Sequence, residues 1–273
     1  MEIKRMNPDL VTLIDVPYAH TPARTLYLDA VYPRHAEAPM PAVIFLHGGS
    51  WQSGDKLPFY NEFLARAGYF TICPQYRFSR EATFPAQIHD AKAAVRWLRA
   101  NAATYHIDAE RIGIWGHSAG GHTASFVGTS AGLPDFAGDQ NAGFDDSVAA
   151  VVSVSGVIYL DDGKPRPVDS ATGRLLGAAP ADVPELARAF SPITHIRASA
   201  IVPPFLILHG TDDRVVQMSH AEKLYAALRS AGAEATLVPI LDGDHSLAAD
   251  WGIVQQLTLG FFERVFRGNR RTV

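Results

Sequence analysis

The chain has 273 residues, 47% of them hydrophobic and 19% charged, with a formal net charge of -4 at pH 7. This length and composition support one large core in a single domain over 1–273, and the acidic balance excludes the basic footprint of a nucleic-acid binder. The N-terminal residues hold no apolar stretch long enough for a signal peptide and no window approaches a membrane span, so no membrane association is expected and cytoplasmic residence is the default, with a secreted protein trimmed of its leader as the alternative.

Residues 10–16 and 24–32 alternate as antiparallel strands do, and from Pro41 onward strand and helix patterns take turns. The apolar strand 42–46 runs into His47-Gly48-Gly49-Ser50-Trp51. The run at 70–73 carries the single cysteine, Cys73, read as a buried structural thiol that leaves no intrachain disulfide. Residues 85–104 form the clearest helix, with Ile88, Ala91, Val95 and Leu98 on one face and Arg96 and Arg99 directed away. The β-branched run 111–115 leads to Gly116-His117-Ser118-Ala119-Gly120 and then to a small-residue helical segment. A strand at 148–154 follows. Residues 161–195 break the pattern: they hold Pro165, Pro167, Pro180 and Pro184, with one helix around 184–190, and read as a short cap over a site. The strand 205–208 then precedes His209-Gly210-Thr211-Asp212-Asp213. Helix 218–230 turns Ala221, Leu224 and Leu228 inward and closes at Gly232. The strand 235–240 precedes Asp242-Gly243-Asp244-His245. Such alternation predicts an α/β fold with a mostly parallel sheet covered by helices on both faces.

Strand, sharp turn and helix with Ser118 at the apex is the layout of a G-x-S-x-G nucleophile elbow, and an acid and a histidine follow it in the order Ser, Asp, His. Each candidate lies just past the carboxyl end of a strand, the edge where open α/β sheets bind ligands. A serine hydroxyl is a weak nucleophile at neutral pH and needs a base, the role read for His245. His245 needs an acceptor on its other ring nitrogen, which points to an aspartate of the Asp212-Asp213 pair. A developing oxyanion needs N–H donors, read as Ala119 and the Gly49–Ser50 loop, with His47 bracing that loop. Trp51 is a pocket wall or a core residue, with its place beside the loop favouring the wall; His117 is carried as a pocket candidate beside its alternative as a structural elbow residue. Asp244 is expected to shape its turn and His122 to be packed and hydrogen-bonded behind the site. Arg270 and Arg271 read as solvated. None of the eleven histidines has metal-ligand spacing and no phosphate loop is present, so neither metal nor cofactor is expected.

On His47-Gly48-Gly49-Ser50-Trp51 and Gly116-His117-Ser118-Ala119-Gly120-Gly121, the chain resembles α/β-hydrolases of the carboxylesterase kind. Within these it is similar to esterases carrying HGGxW and GHSAGG, a group that includes bacterial feruloyl and acetyl esterases and, more distantly, arylformamidases. It departs from the hormone-sensitive-lipase pattern at Ser50, where that pattern has a third glycine, and at His117, where it usually has Asp. The resemblance implies an eight-stranded α/β-hydrolase sheet with a short cap, and its His-Gly-x-x-Asp pattern selects Asp213 over Asp212. It also implies a serine carboxylesterase acting on small-molecule esters with short or aromatic acyl groups. The alternatives are an arylformamidase-like amidase and a non-catalytic small-molecule receptor on the same fold.

Overall fold

The computed structural model describes residues 8–160, 165–196 and 202–268. The first four residues of the expected cap, the N-terminal residues read for a leader, and Arg270 and Arg271 lie outside them. In chain order the strands are β1 Leu10–His20, β2 Thr25–Pro33, β3 Met40–Leu46, β4 Phe70–Pro74, β5 Ile107–His117, β6 Ala150–Val154, β7 Phe205–Gly210 and β8 Ala235–Ile240. The helices are α1 Glu62–Arg66, α2 Ala86–Ala100, α3 Ala102–Tyr105, α4 Ala119–Thr129, α5 Ala171–Leu176, α6 Pro184–Phe190, α7 Ser219–Ser230 and α8 Trp251–Gly268.

The strands form one sheet in the order β1-β2-β4-β3-β5-β6-β7-β8. β1 and β2, and β2 and β4, pair antiparallel, and every pair from β4 to β8 is parallel. A parallel sheet needs cover on both faces, and two apolar layers provide it. One packs α2, α4 and α7, through Ile88, Val95, Phe126 and Leu224, against Ile44, Ile72 and Ile114. The other packs Leu64 of α1 and Phe262 and Phe266 of α8 against Val43, Phe45 and Val152. Because the parallel strands run the same way, β3, β5, β7 and β8 deliver their following loops to one edge.

Cys73 is buried in β4, and burial pushes its thiol up in pKa. Arg96 and Arg99 point away from the sheet, as their phase in α2 requires, yet not into solvent. The Arg96 guanidinium is covered and sits 2.9 Å from Asp146, while Arg99 donates to the Ser147 carbonyl at 2.9 Å. The segment between α4 and β6 folds over that face of α2, and Lys92, fully buried, donates to the Ser130 carbonyl at 2.6 Å. Among its described residues the expected cap holds two α-helices, α5 and α6, rather than one, and a 3-10 turn at Pro192–His195. The unanticipated α5 is capped by the Ser170 hydroxyl, which accepts from the Gly173 N–H at 3.1 Å, and ends at Gly177 with φ 76°.

Candidate active site

β5 ends at His117 and α4 begins at Ala119, which leaves Ser118 alone at the turn with φ 56° and ψ -117°. A side chain at positive φ is strained, so the surroundings must hold it. Ser118 N–H donates to the Val154 carbonyl at 2.8 Å, and its own carbonyl accepts from His122 N–H at 2.9 Å. Two glycines make room for so sharp a turn. A Cβ on Gly116 would stand 2.5 Å from the Gly120 backbone, and one on Gly120 would stand 2.0 Å from the Leu46 carbonyl oxygen.

The loops after β7 and β8 bring the other two residues to Ser118. His245 Nε2 lies 2.9 Å from Ser118 Oγ, and His245 Nδ1 lies 2.7 Å from Asp213 Oδ2. The other carboxylate oxygen of Asp213 accepts from the Val215 and Val216 N–H groups at 2.9 and 2.8 Å. Burial works against the charge on Asp213, but hydrogen bonds from His209, His245 and the Val216 N–H outweigh it and hold the carboxyl well below the usual range. Asp212 is exposed and faces Arg214 at 3.2 Å, so of the adjacent pair only Asp213 reaches His245. Asp244 turns its carboxylate back onto the Ser246 and Leu247 N–H groups at 2.9 Å each, which fixes the turn presenting His245.

The loop after β3 holds three successive residues at positive φ: Gly49 at 115°, Ser50 at 56° and Trp51 at 57°. It closes on itself where the Gln52 and Ser53 N–H groups donate to the Gly49 carbonyl at 2.9 and 3.1 Å. The N–H groups of Gly49, Ser50 and Ala119 engage no acceptor among the described residues. Behind the loop, His47 Nδ1 donates to the Gly48 carbonyl at 2.6 Å and the ring stacks on Tyr76 at 4.4 Å; burial lowers its pKa.

A cavity of about 290 Å³ opens beside Ser118, walled by Ser50, Trp51, Ala119, the α5 residues Ala171 and Thr172, and Val216. Trp51 is 2% exposed and meets His122 and Phe190 edge-on at 5.2 and 5.5 Å, so it is at once cavity wall and core. His122 is buried, with Nε2 3.0 Å from the Phe190 carbonyl, and burial lowers its pKa to about 3. A larger cleft of about 890 Å³ shares Pro165 and Arg166 with the first cavity and runs on toward Tyr159, Arg188 and Lys223.

His117 is not on the cavity wall. It is the last residue of β5, before the turn at Ser118, and its ring lies under the site. There Nε2 lies 2.7 Å from the His245 carbonyl and the ring packs 6.1 Å from Trp251. Burial lowers its pKa, and a neutral Nε2–H donor fits the carbonyl it meets. Sequence reasoning missed His209, whose Nε2 lies 3.2 Å from Asp213 Oδ2. The available signal was its place four residues before the acid. It also missed Val216 and His220 as cavity lining, because only the fold brings the loop after β7 and the start of α7 to Ser118.

The family model of BD-FAE matches residues 28–228. The chain belongs to the BD-FAE family. It is 32% identical to the esterase LipC of Mycobacterium tuberculosis over 199 residues, 70% of this chain and 49% of LipC. The chain spans about half the length of the curated relatives it matches first. Among solved structures, a truncated carbohydrate esterase from gut microbiota superposes with TM-score 0.85 at 28% identity, covering 93% of this chain and 96% of that one. Esterase Est2 of Thermogutta terrifontis with bound propionate gives 0.76 at 26% identity, covering 94% and 95%. The BD-FAE chain thus has the α/β-hydrolase fold of these esterases. Among its described residues no helix is long and apolar enough to cross a membrane.

Proposed function

We propose that this BD-FAE family member is a carboxylic ester hydrolase that works through an acyl-enzyme on Ser118. The observation that carries the reading is the unbroken relay from Ser118 Oγ through His245 to the buried Asp213 carboxylate, at 2.9 and 2.7 Å. Ser118 Oγ attacks the ester carbonyl carbon while its proton passes to His245 Nε2, and the carbonyl oxygen becomes an oxyanion. Asp213 stabilises the imidazolium and keeps its Nδ1–H directed away from the serine. The N–H groups of Ala119 and of the Gly49–Ser50 loop receive the oxyanion, each donor worth about 3–4 kcal/mol in the transition state. Collapse breaks the ester C–O bond, and the alcohol leaves with the proton from His245. Water then attacks the acyl carbon as it gives a proton to His245; the C–Oγ bond breaks, His245 returns that proton to Ser118 Oγ, and the acid leaves.

Two neighbouring spaces that share Pro165 and Arg166 in their walls support a substrate class. The cavity of about 290 Å³ fits a short or compact aromatic acyl group against Trp51, and the adjoining cleft of about 890 Å³ leaves room for a larger alcohol. The propionate in Est2 and the carbohydrate esterase description of the other neighbour support a short acyl group on a polyhydroxylated alcohol. Hydrolysis of p-nitrophenyl acetate, butyrate and palmitate, methyl ferulate and an aryl formamide tests this. Acetate, butyrate and ferulate esters are expected to turn over well and palmitate poorly. Activity confined to the formamide, or rising to sixteen-carbon acyl chains, contradicts the reading.

A further inference from the structure

Asp213 is held by four N–H groups. Three are the His245 ring and two backbone amides; the fourth is His209, 1% exposed, at the end of β7. His209 Nε2 also lies 2.8 Å from the Val216 carbonyl. A carbonyl only accepts, so the proton of a neutral ring sits on Nε2. That one N–H faces both the Val216 carbonyl and Asp213 Oδ2, while buried Nδ1 has no partner among the described residues. A closed ring results: the Asp213 carboxylate holds the Val216 N–H, the Val216 carbonyl holds His209, and His209 returns to the same carboxylate. Val216 is in turn a wall of the cavity beside Ser118.

We infer that His209 is a positioning residue whose Nε2–H fixes the plane of the Asp213 carboxylate and the course of the 213–216 loop, so that Oδ2 stays aimed at His245. This rests on the ester-hydrolase reading. His209 touches neither substrate nor Ser118; it acts through Asp213. Without that fourth N–H the carboxylate is held less firmly on its Oδ2 side, and His245 samples more orientations that do not serve Ser118, which slows chemistry more than it weakens binding.

The test is steady-state hydrolysis of p-nitrophenyl acetate by the full chain and by His209→Leu, His209→Asn and His209→Gln. Glutamine places an amide N–H near the position of Nε2, whereas asparagine reaches only as far as Nδ1, and leucine fills space without donating. The Leu and Asn variants are expected to lose about 10- to 100-fold in kcat with KM nearly unchanged. His209→Gln should recover most of that loss. A ring that only fills space would rank the variants by thermal stability and leave glutamine no better than leucine, which would overturn the inference. A second readout needs no variant: 15N chemical shifts of His209 in the wild-type protein should show the Nε2–H tautomer, and an Nδ1–H tautomer would contradict it. Wild-type turnover kept in full by His209→Leu overturns this inference alone. Absence of wild-type turnover, with Ser118 left unlabelled by an aryl phosphonate, overturns the ester reading and the inference together.

Discussion

Ser118, Asp213 and His245 each stand within a few residues of the end of a parallel strand, β5, β7 or β8, whereas the cap residues lining the cavity beside Ser118 stand at 165–166 and around the start of α5, which joins no sheet. The strand ends are fixed by the ladder itself. Ser118 hydrogen-bonds to Val154 of the neighbouring strand, and Asp212 N–H donates to the Gly243 carbonyl at 3.0 Å, tying the acid loop to the histidine loop. The cap meets the cavity through Pro165, Arg166, Ser170, Ala171 and Thr172. Groups that must keep bond-length tolerance are built on the sheet, and groups that select among substrates are built on the segment free to differ.

If that division holds, the largest effects come from the strand ends. Ser118→Ala removes the nucleophile and should lower kcat for p-nitrophenyl acetate by about 10⁶-fold, leaving a folded protein. Activity within tenfold of the wild type would move the chemistry elsewhere. Asp213→Asn should lower kcat by about 10⁴-fold, because an amide favours the wrong histidine tautomer. Asp212→Asn, changing an exposed group that faces Arg214, should stay within about threefold. The reverse order would transfer the acid role.

The cap should yield smaller and more selective changes. Thr172 is buried in α5 and lines the cavity beside Ser118. Enlarging it in Thr172→Leu should cut kcat/KM for butyrate more than for acetate, by about tenfold, since a misfit of a few methylenes costs 1–3 kcal/mol. An equal loss on both esters would place Thr172 in the catalytic frame rather than in selection.

The smallest effect concerns stability. His122 has its pKa lowered to about 3 by burial, while an unfolded histidine titrates near 6.5. Between those values the unfolded chain binds the extra proton and the folded one does not, so stability falls as pH drops through this window. His122→Gln should have a shallower decline of Tm between pH 7 and 4 than the wild type. An unchanged slope would mean that other buried histidines, such as His47 and His117, carry the dependence.

The strand ends were legible in the sequence because their chemistry is local. Glycine spacing at Gly116 and Gly120, a serine between them, and short runs after apolar strands state the turn and its residues together. The helix α5 was not legible: it is six residues long and lies between Pro167 and Pro180, and its buried Leu175 and Leu176 are adjacent, too short a run to show a helical period beside the Ser170 cap and Gly177. His117 read as a pocket candidate because motif position alone does not say which way its ring turns at the end of the strand; it lies under His245, with Nε2 2.7 Å from the His245 carbonyl. The cover over Arg96 was invisible because Asp146 lies fifty residues away in sequence. His209 stood inside the motif that revealed Asp213, but its role depends on the Val216 carbonyl folding back onto it.

The most direct test of the central claim is covalent capture of the nucleophile. The wild-type protein is treated with an aryl phosphonate, digested, and read by peptide mass, with Ser118→Ala treated in parallel. One phosphonyl group per chain on the peptide bearing Ser118, lost in the variant together with turnover, is the predicted result. A label on another residue that abolishes activity, or full activity after Ser118 is labelled, would contradict it.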